Sequence, residues 1–146
     1  MSAMELKNRG DRKKMMSHVR NLVALAYADG KFSDEERQYV ANVATEVGMT
    51  ADEMKQIIND PDGIRFIMPE NDIEKIEQLY DLILLMMIDG DLNENEMIFC
   101  RAMAIKMKIP YQVADEMVAK VINFITDNFY IEDVVNELVE IMEKED

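Results

Sequence analysis

Four carboxylates, Asp29, Glu36, Asp89 and Glu96, fall in two matching segments, AYADGKFSDEER at 26–37 and MMIDGDLNENEM at 86–97. Carboxylate oxygens are hard ligands, and a set of them suits calcium, magnesium or manganese. A structural zinc site is excluded by ligand supply, because the chain holds one Cys and one His. An EF-hand is excluded by register. With Gly30, Phe32 and Glu36 at the sixth, eighth and twelfth loop positions, Leu25 and Tyr27 would fall at ligand positions in the first copy, and Leu85 and Met87 in the second. None of these binds calcium through its side chain. Starting instead at Asp89, Asp91 and Asn93 puts Glu94 where glycine belongs and Cys100 where the bidentate glutamate belongs.

Asp29 and Asp89 each stand where a helix is expected to end, so they face carbonyls that already concentrate negative potential. Something must answer that charge, and two answers fit the residues. One is local: backbone N–H groups of the following turn bond to each Asp, while Glu36 and Glu96 close capping boxes. The other is a bound cation, held by Asp29, Glu36, Asp89 and Glu96 if the two turns come to one end of a helical bundle. Asp34, Glu35, Asp91 and Glu94 read as first-turn acids that complement helix dipoles.

The elements that position these acids are helical. From Asp11 to Ala28 apolar residues recur at three- and four-residue spacing (Met15, Val19, Leu22, Val23, Ala26), and Gly30 is the stop. Ser33 with Glu36 opens a second helix that ends at Gly48, and Thr50 with Glu53 opens a third, closed by Asp60-Pro61-Asp62-Gly63. IRFIMP at 64–69 reads as an apolar connector lying on the core, since a lone strand would leave its ladder unpaired. A fourth helix spans about Asn71 to Ile88 and is apolar nearly all round at its C-terminal end, so it should be central. Asn93 with Glu96 starts the fifth, Pro110 the sixth, and a last helix covers about Ile131 to Lys144.

An offset of 60 carries Asp29-Gly30 onto Asp89-Gly90, Leu22 onto Leu82, Ser33 onto Asn93, Glu36 onto Glu96 and Ala44 onto Ala104. Apolar falls on apolar and cap on cap, which predicts an all-α fold of about seven helices: two pseudo-repeated three-helix units packed as a bundle, at about 16–60 and 76–120, and a C-terminal helix. The expected organisation is a basic N-terminal arm at 1–11 and a single helical domain at 12–146.

Composition bounds the partners. A formal net charge of -14 argues against nucleic acid, whose phosphates need clustered Lys and Arg, and favours cations or a basic protein. The exception is the N-terminus, where Lys7, Arg9, Arg12, Lys13, Lys14 and Arg20 stand against Glu5 and Asp11. This arm is either a solvated helix start or a segment that docks on an acidic face, of its own chain or of another copy as a homo-oligomer. The longest apolar run, Leu82 to Ile88, is too short to span a membrane, and the N-terminus lacks the apolar core of a signal peptide. The lone Cys100 reads as a small buried hydrophobe, which agrees with a cytoplasmic protein. His18 reads as a surface or boundary residue of the first helix. No glycine-rich phosphate loop, nucleophile elbow or Cys-His pairing is present, so neither catalysis nor an organic cofactor is expected. Fourteen Met residues mostly fall at core spacing, with Met86, Met87 and the connector the apolar pieces expected to reach the surface.

ADG, an apolar residue and an acid-rich helix start, as in ADGKFSDEE and again in IDGDLNENE, resemble the TerB-like family, which groups tellurite-resistance TerB proteins with the N-terminal domain of the DjlA co-chaperone. The likeness covers about residues 12 to 125. It implies an all-helical bundle with an acidic, metal-chelating surface used in stress response, the acidic positions falling on Asp29, Glu36, Asp89 and Glu96. No J-domain and no transmembrane segment accompany the motif, so a membrane co-chaperone role is not implied. A cation-binding acidic domain is the leading expectation, and a metal-free interaction module or scaffold using the acidic and Met-rich surface is the alternative.

Overall fold

Caps and glycines divide this chain before any packing is considered. In the computed structural model, which describes residues 3–28, 30, 32–88, 93–126, 136–137 and 139–143, side chains are described from residue 11 onward except at 113, 121 and 124–126. The elements are α1 (Ala3–Tyr27), α2 (Asp34–Glu46), α3 (Ala51–Asn59), a 3-10 turn (Pro61–Gly63), α4 (Asp72–Met87), α5 (Glu94–Lys106) and α6 (Tyr111–Thr126). Residues 139–143, inside the expected last helix, are also helical, and no strand occurs among the described residues. The fold is all-α, as the periodicity predicts.

Both expected boxes of the first half are complete. Ser33 Oγ accepts from the Glu36 N–H at 3.1 Å while Glu36 Oε1 accepts from the Ser33 N–H at 3.0 Å. Thr50 and Glu53 do the same at 3.2 and 2.9 Å. Each box satisfies two donors that a helix start leaves without partners.

The chain forms two compact units, Met1–Met68 and Pro69–Asp146. In the first, α1 packs on α2, on α3 and on the 3-10 turn, and buries Val19, Leu22, Val23, Leu25 and Ala26. In the second, α4, α5 and α6 pack on one another, and α4 buries Ile76, Leu79, Leu82, Ile83, Leu85 and Met86. The offset of 60 lands on helix ends: Tyr27 and Met87 end α1 and α4, Asp34 and Glu94 open α2 and α5, and Ala51 and Tyr111 open α3 and α6.

The same offset relates two left-handed residues, Gly48 (φ 78°) after α2 and Lys108 (φ 63°) after α5. Each closes its helix alike: Gly48 N–H donates to Thr45 O and Met49 N–H to Ala44 O, while Lys108 N–H donates to Ile105 O and Ile109 N–H to Ala104 O. A Cβ at Gly48 would meet nothing within 4 Å, so only backbone strain opposes a side chain there. Gly48→Ala is therefore expected to destabilise by about 1 kcal/mol, and Lys108→Gly to stabilise by up to about 1 kcal/mol. Urea unfolding of the two variants measures both; a common sign would contradict the shared geometry.

Three local expectations are corrected. The first helix begins at Ala3 and not near Asp11, because good helix formers on both sides carry it through Gly10 at a cost of about 1 kcal/mol. Met86, expected at the surface, is 2 % exposed, since α4 buries four of the five residues from Leu82 to Met86 and its apolar face is wide. His18, expected at the surface or a boundary, is 5 % exposed. Its part of α1 carries the connector: Ser17, itself buried, accepts at Oγ from the Ile67 N–H at 2.9 Å, and Arg20 Nε donates to Pro61 O at 3.1 Å. The connector forms no strand, as expected, and Ser17 supplies one of the bonds a neighbouring strand would have given.

Arg12 joins α1 to the start of α3. Its Nε donates to Glu53 Oε2 at 2.9 Å, its Nη2 pairs with Glu53 Oε1, and Nη2 also reaches Gly48 O at 3.5 Å. At this residue the basic N-terminal region docks on an acid of its own chain. The Arg12 hydrogen bond, then the Thr50 backbone, hold the Glu53 carboxyl down from 4.5 to about 2. A carboxyl depressed on folding contributes stability that is present above its unfolded pKa and is lost as pH falls toward the folded one. The Glu53 contribution is thus expected to disappear between about pH 4.5 and pH 2, and Arg12→Gln to flatten that limb of an acid titration followed by circular dichroism. An unchanged limb would assign the acid sensitivity to other groups.

Candidate functional site

The corner between α1 and α2 is assembled from short-range bonds. Ala28 N–H donates to Leu25 O and Gly30 N–H to Tyr27 O, both at 3.0 Å, and Gly30 takes φ 83°, which only glycine adopts freely. The chain then turns into Ser33, whose capping box places Glu36 one turn inside α2. Glu36 is 2 % exposed, while Asp34 and Glu35 of the same turn point to solvent. An aromatic clasp stands over the corner. Tyr27 and Phe32 meet edge to face at 5.3 Å, and the Arg37 guanidinium lies 4.6 Å over the Phe32 ring while its Nε donates to Phe32 O at 3.2 Å.

The corner between α4 and α5 starts the same way. Ile88 N–H donates to Leu85 O at 3.3 Å, and Asn93 Oδ1 accepts from the Glu96 N–H at 3.2 Å. Glu96 is 4 % exposed. One turn on, Cys100 is buried, and burial, with the neighbouring Glu96 charge second, pushes its thiol up to about 12. A buried thiol held so high carries little thiolate near neutral pH and is a poor nucleophile there.

Of the four candidate ligands, Glu36 belongs to the first unit and Glu96 to the second. Asp29 and Asp89 lie outside the described residues, as does the flanking Asp91. Among the described residues no group of three or more His, Cys, Asp or Glu stands together as a ligand set. What the structure adds is burial: among the described residues, Glu36 and Glu96 are the two buried carboxylates. They are also the pair that the offset of 60 relates. Removing a carboxylate from water is costly, so it occurs where hydrogen bonds or a cation answer it. For Glu36 the Ser33 N–H supplies one such bond. Carboxylate oxygens of this kind are hard donors.

The clasp was not anticipated from sequence. Its signal is the Phe32–Arg37 pair beside Tyr27, which the second corner lacks, since the offset places Met87 and Met97 at the positions of Tyr27 and Arg37.

An all-helical protein with acid-rich corners after Asp-Gly is the class this geometry defines. Comparison with known families agrees: the family model described as Tellurite resistance protein TerB matches residues 1–59. Residues 1–59 are thus TerB-like, and they hold the first acidic corner and the helices α1 to α3. The match is shorter than the likeness drawn from the two motifs, which extended to about residue 125. No curated protein and no solved structure matches the chain. No helix among the described residues is long and apolar enough to cross a membrane.

Proposed function

We propose that this chain is a non-catalytic, TerB-like acidic helical domain that binds a divalent cation at its paired corners and serves in a stress response. The observation that carries the reading is the burial of Glu36 and Glu96, equivalent under the offset of 60, in a chain whose other described acids stay nearer solvent. Asp29 and Glu36 at the first corner, and Asp89 and Glu96 at the second, would supply the oxygen ligands, and a bound ion would neutralise acids placed against helix C-termini. Calcium, magnesium and manganese fit the donors.

The test is thermal melting of the 146-residue chain in EDTA and then with each of the three ions, for wild type and for Asp29→Asn with Asp89→Asn. A ligand that binds only the folded state raises the melting temperature. The expected result is a rise in wild type alone; no rise with any ion sinks the reading.

A metal-free interaction module is the second reading, and one observation favours it. Ile98 and Ile105 of α5, two turns apart on one face, are 54 % and 47 % exposed. On that reading Ile98→Asp with Ile105→Asp abolishes partner capture in EDTA, whereas the corner substitutions leave it intact.

A further inference from the structure

We propose that a groove between α1 and the connector binds a linear amphiphile with a single anionic head, of the long-chain fatty-acid class. The groove lies wholly in the first unit, is open to solvent along one side and offers about 520 Å³, within the range of about 300–1,000 Å³ usual for small-molecule sites. Its apolar wall is Met16 from α1 with Ile64, Phe66, Ile67 and Met68 from the connector. Its two charged members, Lys13 and Arg65, are both cations, and no acid lines it among the described residues, although acids outnumber bases 30 to 16 in the chain.

The state of these cations separates them from their neighbours. Arg12 pairs with Glu53, Lys14 with Asp11, Arg20 with Pro61 O, and Arg37 with Phe32. Among the described residues no ion pair or hydrogen bond engages Lys13 or Arg65, and both are exposed. Two uncommitted cations beside an apolar wall complement a ligand with an anionic head and an apolar body.

Size and texture select the tail. Eight residues line the groove, against the roughly 20 to 30 per side that a stable protein partner covers, so a small molecule fits better than a docked helix. Met16 and Met68 are unbranched and adaptable, which suits a flexible alkyl chain better than a rigid ring. The wall is formed in advance: Ile67 N–H is held by Ser17 Oγ at 2.9 Å and Ile64 N–H by Pro61 O at 3.2 Å. Little ordering cost therefore falls on binding.

The experiment is calorimetric titration of the whole chain with dodecanoate below its micellar range, beside dodecanol, dodecyltrimethylammonium and acetate. One-site binding of dodecanoate is expected, about tenfold weaker for dodecanol, from the loss of two partly exposed ion pairs. Acetate, without the tail, is expected to show no binding. Lys13→Glu with Arg65→Glu is expected to abolish dodecanoate binding while leaving the melting temperature unchanged; if that variant fails to fold, Lys13→Gln with Arg65→Gln replaces it and is expected to bind about tenfold more weakly. Absence of dodecanoate binding, equal binding of the cationic detergent, or capture of an acidic amphipathic peptide in place of dodecanoate would overturn the proposal. Because the groove includes none of the corner acids, its failure leaves the cation reading standing, and the reverse holds too.

Discussion

Leu82→Ala is expected to lower the free energy of unfolding by about 2–5 kcal/mol, and Leu22→Ala by a similar amount. Both leucines are fully buried, at equivalent places on the last turns of α4 and α1, so truncation removes apolar burial and leaves a cavity the helices fill only in part. The comparison that gives the measurement meaning is Ile98→Ala, whose side chain is half exposed and whose loss should stay within about 0.5 kcal/mol. Urea unfolding of the three variants reads all of these. If Leu82→Ala cost no more than Ile98→Ala, the burial assigned to α4 would be wrong, and with it the placement of the corner that α4 leads into.

The second large effect concerns the buried glutamates. On the cation reading, an ion at about one hundred times its dissociation constant stabilises the folded chain by about 2.7 kcal/mol, and Glu36→Gln with Glu96→Gln removes that gain. A capping role alone predicts otherwise. Gln keeps an acceptor oxygen for the Ser33 N–H, so the caps survive substitution, and neither protein responds to an ion. Thermal melting with and without each ion separates the cases. An ion response that persists in the variant would take Glu36 and Glu96 out of the site.

How legible the fold was depends on the range of the interactions that set it. Ser33 with Glu36 and Thr50 with Glu53 are read directly from four-residue windows, and both boxes form. Gly30 and Gly48 take the left-handed conformations their positions demanded. Lys108 shows the limit of that signal, since it adopts the same geometry as Gly48 without glycine's mark, and only comparison at the offset of 60 reveals it. Of the candidate corners, the placement of Glu36 and Glu96 in the first turns of α2 and α5 was legible. Their burial was not, because glutamate in the first turn of a helix is most often solvated, and which side of that turn faces the core depends on how α2 and α5 pack.

The sequence by itself determined an all-helical chain, where its helices end, and that two acidic corners recur 60 residues apart. Caps, glycine stops and apolar periodicity act between neighbours, so their outcome is written in short windows. Tertiary structure alone decided that Arg12 meets Glu53 across 41 positions and Ser17 meets Ile67 across 50. It also buried His18 and Met86 and brought Lys13 and Arg65 to one groove. Such pairings follow from which helix faces meet, a choice made by the summed burial of apolar surface over the whole unit and carried by no single residue.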